Sequence, residues 1–133
     1  MTILVIDTYD SFTFAGVNNT GKELQRTPKF QIAVGAEASI GSGSWEDALT
    51  LRLAYRYQGR MPWAPENTTW EEGYGTLDGR ATLNLPNKNW SLSAFAKNMT
   101  NKLYRTNIIV FFHDEVSSYA PPRTYGLELS AKF

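Results

Sequence analysis

Cysteine is absent from this 133-residue chain, and histidine occurs once, at His113. Those shortages exclude disulfides, thiolate chemistry and a metal centre built from His and Cys ligands. No charge of one sign prevails. Thirteen basic and thirteen acidic residues cancel, which leaves no polybasic face for nucleic acid. Long apolar runs are missing as well. The longest, at 108–112, falls far short of the roughly 20 residues that a membrane-spanning helix needs. Residues 1–7 lack the positive leader and the apolar length of an export signal. Nucleophile-elbow, phosphate-loop and dinucleotide fingerprints are also missing, so no enzyme activity, catalytic residue or cofactor is expected.

What the chain has in abundance is alternation and aromatic rings. Apolar or small residues fall at every second position through Phe30 to Ile40, Leu49 to Tyr57, Leu77 to Leu85, Trp90 to Ala96 and Tyr125 to Phe133. The positions between them are mostly polar; Phe95 is a break in one polar row. Successive side chains on a strand point to opposite faces, so each stretch is an amphipathic strand. With a weaker leading strand at 3–9, the pattern predicts an all-β chain: an up-and-down antiparallel meander of about six strands in one segment, 1–133. Short turns at 41–44 and 86–89 alternate with long links at 11–28, 60–73 and 105–122. Long loops then gather at one end of the meander, which is the construction rule of outer-membrane barrels.

Alternation alone does not say which face meets water, because a soluble barrel turns its apolar rows inward and a membrane barrel turns them outward. Two details favour the membrane. The polar rows carry mixed charges suited to a wet lumen, at Glu37, Arg52, Arg56, Asp78, Arg80, Lys97, Glu128 and Lys132. The apolar rows are aliphatic in the middle and aromatic toward their ends, as in the girdles of membrane barrels. Leu51, Leu53, Tyr55, Tyr57, Leu83, Trp90, Tyr125, Leu127, Leu129 and Phe133 are therefore assigned to lipid and its interfaces. Each stretch approaches the about 9–11 residues of a tilted bilayer-crossing strand.

With these residues in place, residues 21–30, 51–60, 89–102 with Tyr104, and 121–133 together resemble the C-terminal end of a TonB-dependent outer-membrane receptor. The last strand resembles the signal read by the barrel-assembly machinery, through Gly126, Leu129, Ala131 and Phe133, with Ala131 smaller than that pattern prefers. The resemblance implies a transmembrane barrel of about 22 strands around a plug. Such receptors import scarce ligands, often ferric siderophores, with energy from an inner-membrane complex. The implied partners are outer-membrane lipid, the rest of the barrel and plug, the assembly machinery and, through the plug alone, the energy-coupling protein. No plug and no coupling motif are present here, and about six strands fall below the eight of the smallest bacterial barrels. The expectation is a fragment of a receptor of the outer membrane that does not transport alone.

Ligand capture, if any residues here take part, is expected on the outside loops. Trp63, Trp70, Glu71 and Tyr74 are candidates on one, beside Glu66, Asn67 and Glu72; Phe111 and His113 are candidates on the other. Simple packing of a long hairpin explains the first group as well, and continuation of the Trp90 strand explains the run at 108–112. His113 with Asp114 and Glu115 lacks the convergent geometry of a metal site. Asn18, Asn67, Asn89 and Asn98 begin N-x-S/T patterns, which the turn-rich composition accounts for. Two readings from other classes stand beside the receptor: a soluble all-β module whose apolar rows line a pocket for a small apolar ligand, and a glycan- or protein-binding sandwich using Trp63 and Trp70.

Overall fold

The computed structural model describes residues 8–43, 45–86, 89–111 and 114–132, with the backbone alone for Glu46, Val110 and Phe111. In chain order its strands are β1 (Thr13–Phe14), β2 (Val17–Asn18), β3 (Gln31–Ser42), β4 (Trp45–Gln58), β5 (Met61–Pro62), β6 (Trp70–Glu71), β7 (Tyr74–Asn84), β8 (Trp90–Lys97), β9 (Arg105–Phe111), β10 (Asp114–Tyr119) and β11 (Thr124–Ala131). No helix occurs among the described residues. The leading strand expected at 3–9 lies mostly outside them; its end, Thr8, makes an isolated antiparallel bridge with Glu23. His113 and Phe133 also lie outside the described residues.

The long alternating stretches become one open sheet in the order β11-β8-β7-β4-β3. Its pairings follow the hydrophobic pattern. Across β7 and β8, Ala81 faces Ala94 and Leu83 faces Leu92; across β8 and β11, Leu127 faces Ala94 and Leu129 faces Leu92. The intervening positions match Thr82 with Ser93 and Glu128 with Ser93. A slip of one residue would exchange the faces, so this register holds the apolar rows together on one side. Gly43, at a φ of 58°, supplies the left-handed position in the β3–β4 turn. The β7–β8 turn is closed by Leu85 N–H donating to the Trp90 carbonyl at 2.9 Å.

Contacts divide the chain into two compact units. The loop unit comprises residues 1–32, 57–75 and 103–120; the sheet unit comprises 33–56, 76–102 and 121–133. Within the sheet unit, Ser93 and Asn98 are the buried residues among those described, and both are polar. Its apolar rows stand open, with Leu127 at 74% and Leu129 at 65% exposure. The rows share one face of one sheet and do not meet across a dry interior. A closed pocket lined by them, as one of the two alternative readings requires, is not formed among the described residues.

The loop unit is organised differently. Its buried apolar cluster is Met61, Trp63 and Ile108, with Pro62 fully enclosed. Here β1 pairs with β2, β5 with β6, and β9 with β10. Ala15 and Gly16, at φ of 49° and 81°, turn the β1–β2 hairpin, the two left-handed positions that a tight primed turn requires. The expected continuation of the Trp90 strand through the run at 108–112 is not what residues 108–111 form. β8 ends at Lys97, and β9 begins a separate hairpin at Arg105, with Ile109 facing Val116.

The reason for that break is Asn98, buried and left-handed at a φ of 50°. Its N–H donates to Asp78 Oδ1 at 2.8 Å. Its Oδ1 accepts from Lys102 N–H at 3.0 Å and from Thr100 Oγ1 at 3.2 Å, while its Nδ2 donates to the Lys102 carbonyl at 3.0 Å. A side chain that satisfies both backbone groups of a residue four positions on replaces the ladder of a continuing strand. Fully engaged and buried, this amide is a turn organiser rather than an acceptor for a glycan.

Candidate functional site: a cleft among the long loops and a charged strand face

Among the described residues, each unit has a place where a hollow combines with polar chemistry. In the loop unit, a cleft of about 340 Å³ is lined by Phe12, Phe14, Trp63, Glu66, Thr69 and Ile108, among others. Phe12 stacks on Tyr9 at 4.6 Å and approaches Phe14 at 6.3 Å. Trp63 is 8% exposed, so it contributes a wall and not a free platform. Of the candidates whose side chains are described, Trp63 lines this cleft. Phe12 and Phe14 were not singled out from the sequence, although their alternate spacing inside the 11–28 link was a legible aromatic signal.

Glu71 does structural work beneath it. The residue is 7% exposed, and a buried carboxylate survives only when paired. Its Oε2 accepts from Arg105 Nε at 2.6 Å and from Trp63 Nε1 at 3.4 Å, and its Oε1 accepts from Arg105 N–H at 3.1 Å. Arg105 NH2 also donates to the Trp70 carbonyl at 2.5 Å. One ion pair thus ties the start of β9 to β6. Thr69 Oγ1 donating to Glu115 Oε1 at 3.2 Å, and Arg26 NH2 donating to Asn107 Oδ1 at 3.1 Å, add exposed links to the same hairpin.

Trp70 lies under the Arg60 guanidinium, 4.6 Å from ring centroid to cation. With Trp63 enclosed and Trp70 covered, neither ring is the exposed platform that a glycan-binding sandwich needs. Tyr74 is in the loop unit, ahead of the apolar row that starts at Leu77, and stacks on Tyr104 at 4.1 Å. Burial, then the neighbouring Tyr104 and Glu71, push its phenol up to about 12. Asn67 joins the first link to the second: its Oδ1 accepts from Glu23 N–H at 2.8 Å and its Nδ2 donates to the Glu23 carbonyl at 2.9 Å. Phe111 lies on β9, and its side chain is outside the described residues.

The second place is the polar face of the sheet. Arg52 pairs with Glu37 at 3.4 Å and Arg80 with Glu128 at 3.0 Å, while Thr82 and Ser93 share a hydrogen bond of 2.9 Å. Arg56, Lys97 and Lys132 have no side-chain partner among the described residues. Phe95, the break in the polar row, also has an explanation. It is opposite Gly126, where a Cβ would meet the ring at 2.8 Å. Glycine lets the ring lie against the neighbouring strand. Among the described residues no group of three metal-ligating side chains is assembled.

One face greasy and open, one face charged, and long links folded into a separate unit match the make-up of a receptor barrel. Residues 4–99 match the family model for TonB dependent receptor-like, beta-barrel. The chain belongs to the TonB-dependent receptor family. Solved receptors of this kind share its fold. The ferric yersiniabactin uptake receptor FyuA from Yersinia pestis superposes with a TM-score of 0.73 at 21% identity, over 86% of this chain and 18% of that one. The siderophore receptor PiuA from Acinetobacter baumannii gives 0.73 at 20% identity, over 92% and 17%. BauA, the ferric preacinetobactin receptor of the same organism, gives 0.62 at 26% identity, over 84% and 16%. This TonB-dependent receptor chain therefore spans less than a fifth of each of those receptors. No curated protein matches the sequence.

Proposed function

We propose that the chain forms part of the barrel wall of an outer-membrane receptor for ligand uptake, with ferric siderophores as the ligand class. The observation that carries this reading is the open sheet whose apolar rows share one face, with Leu53, Leu83, Leu92, Leu127 and Leu129 exposed on it. Left in water, such a face associates or aggregates; in a bilayer it is solvated by acyl chains. The opposite, charged face then borders the lumen, with Arg52, Arg56, Asp78, Arg80, Glu128 and Lys132 available to a passing ligand or to a plug. Leu51, Leu53, Tyr55, Leu83, Trp90, Tyr125, Leu127 and Leu129 meet lipid and its interfaces.

A five-stranded open sheet leaves two strand edges unpaired, and each unsatisfied backbone group in hydrocarbon costs several kcal/mol. The sheet consequently works inside a larger barrel, completed by further strands and plugged by a separate domain that contacts the energy-coupling protein. It does not transport alone. Gly126, Leu129 and Ala131, with Phe133 beyond the described residues, serve as the assembly signal. The loop unit supplies the outside surface, with the Trp63 cleft as ligand contact and Glu71, Trp70 and Tyr74 holding its walls.

Detergent dependence tests the reading. The isolated chain is expected to aggregate in buffer and to gain β circular dichroism in detergent micelles. A monodisperse monomer that melts cooperatively without detergent would overturn it.

A further inference from the structure

We propose that Phe95 and Gly126 form a register lock. The ring on β8 seats in the notch left by the glycine of β11 and holds that strand in one of several alignments its apolar row allows. The inference rests on reading the apolar face as bathed in lipid. β11 is an edge of the described sheet, and β8 is its neighbour there. A slip of one residue would exchange the faces of β11 and is ruled out by the pattern. A slip of two is not. It would set Leu127 opposite Leu92 or Ala96 in place of Ala94, apolar against apolar in each case. Acyl chains solvate all three arrangements alike, so the greasy rows do not choose between them.

The polar face does choose. Gly126 stands opposite Phe95, and a Cβ on it would meet two ring atoms, at 2.8 and 3.0 Å. Among the described glycines, left-handed backbone occurs at Gly16, Gly21 and Gly43 and not at Gly126. This glycine therefore serves space and not conformation, although glycine inside a strand weakens it. In the slipped alignments the ring would face Thr124 or Glu128, whose Cβ atoms fill the notch. A ring that covers a cross-strand glycine is a device that pins register in sheets.

A second contact reads the same alignment. Arg80, opposite Phe95 on the β7 side, reaches across β8 to Glu128 at 3.0 Å. A slip of two would carry Glu128 about 7 Å along the strand, out of reach. Both partners are nearly half exposed, and ion pairs open to water contribute little, so the ring is the stronger part. Register and barrel size are linked, so one slipped strand alters the wall around it.

The absence of cysteine makes register directly readable. Cysteines are introduced in pairs on the apolar face: Leu127→Cys with Ala94→Cys reports the native alignment, and Leu127→Cys with Leu92→Cys or Ala96→Cys reports the slipped ones. Directly opposed residues stand within disulfide range. Each chain is refolded in neutral detergent micelles, oxidised, and read by mass spectrometry of the linked peptides. The link between positions 94 and 127 should exceed each slipped link at least tenfold. Phe95→Ala and Gly126→Ala should each raise the slipped links at least tenfold, and Glu128→Gln less than threefold. Combining Phe95→Gly with Gly126→Phe should restore the native link, because an antiparallel pair is two-fold symmetric and the ring then covers glycine from the other strand. Circular dichroism of every sample separates the lock from the barrel reading. In a β-rich chain, three results overturn the lock and leave that reading standing: slipped links that dominate in the parent, slipped links that do not respond to Phe95→Ala and Gly126→Ala, or a swap that behaves like Phe95→Ala. A chain with no β signal in detergent overturns both.

Discussion

The loop unit and the sheet unit solve the problem of buried surface in opposite ways. The loop unit hides Met61, Pro62, Trp63 and Ile108 and secures them with the Glu71–Arg105 pair. The sheet unit buries, among its described residues, only Ser93 and Asn98 and leaves its leucines open. The first carries its own core. The second is a two-faced ribbon whose apolar side needs a partner medium. A domain that folds in water cannot afford the second arrangement, because burial of apolar area is the dominant favourable term in folding. The contrast teaches that stability in this chain comes from two sources that can be attacked separately.

The sharpest break falls on the loop unit. Glu71→Ala leaves the Arg105 guanidinium largely buried without its partner, and losing one member of a buried pair costs about 3–5 kcal/mol. Hydrogen exchange in micelles should rise across 57–75 and 103–120, while the β signal of the sheet persists. Exchange rising equally in both units would mean that the two are not independent.

Next in size come the faces of the sheet. A charge on the lipid side at mid-membrane costs about 2–4 kcal/mol. Leu53→Arg and Leu83→Arg should each block insertion of the intact receptor, as read by heat-modifiable gel mobility, and Thr82→Arg should be tolerated. Equal tolerance at all three would reverse the face assignment.

A smaller effect is expected at the turn between β8 and β9. Asn98→Ala removes the acceptor of Lys102 N–H and the donor to its carbonyl, and an unsatisfied buried group costs about 1–3 kcal/mol. The denaturation midpoint in micelles should fall with no loss of insertion, since the strands on either side keep their rows. Blocked insertion would make this turn part of assembly and not only of local order.

The smallest effect is confined to one phenol. Tyr74 is raised to about 12 from the model-compound value of 10.0. The folded state therefore holds this proton more tightly than the unfolded chain. Its contribution is intact below pH 10 and is lost as pH climbs from 10 toward 12. Absorbance titration of the tyrosinates should show one late component, absent in Tyr74→Phe. A single transition near 10 would mean that Tyr74 does not sit against Tyr104 and Glu71.

The strand faces were legible because a strand's side-chain period is two, so alternation at Leu51, Leu53 and Tyr55 or Leu127 and Leu129 survives without any knowledge of neighbours. Period also explains the misread stretch. The run at 108–112 has no alternation to orient it, and the decision to start a new hairpin rests on Asn98 reaching Lys102, a contact that no pattern of hydrophobicity encodes. Glu71 was legible as a charged loop residue near tryptophans. Its partner, Arg105, stands 34 positions along the chain, and only folding brings the two together.

The amino-acid order alone determined the all-β class, the two chemically distinct faces of each long strand and the membership in a receptor family, because all three reside in short-range periodicity and in the sequential order of motifs. Tertiary structure alone decided which rings are enclosed, which carboxylates are already engaged, and that Phe95 lies over Gly126. Those outcomes depend on distances between residues remote in the chain, which burial and charge pairing select.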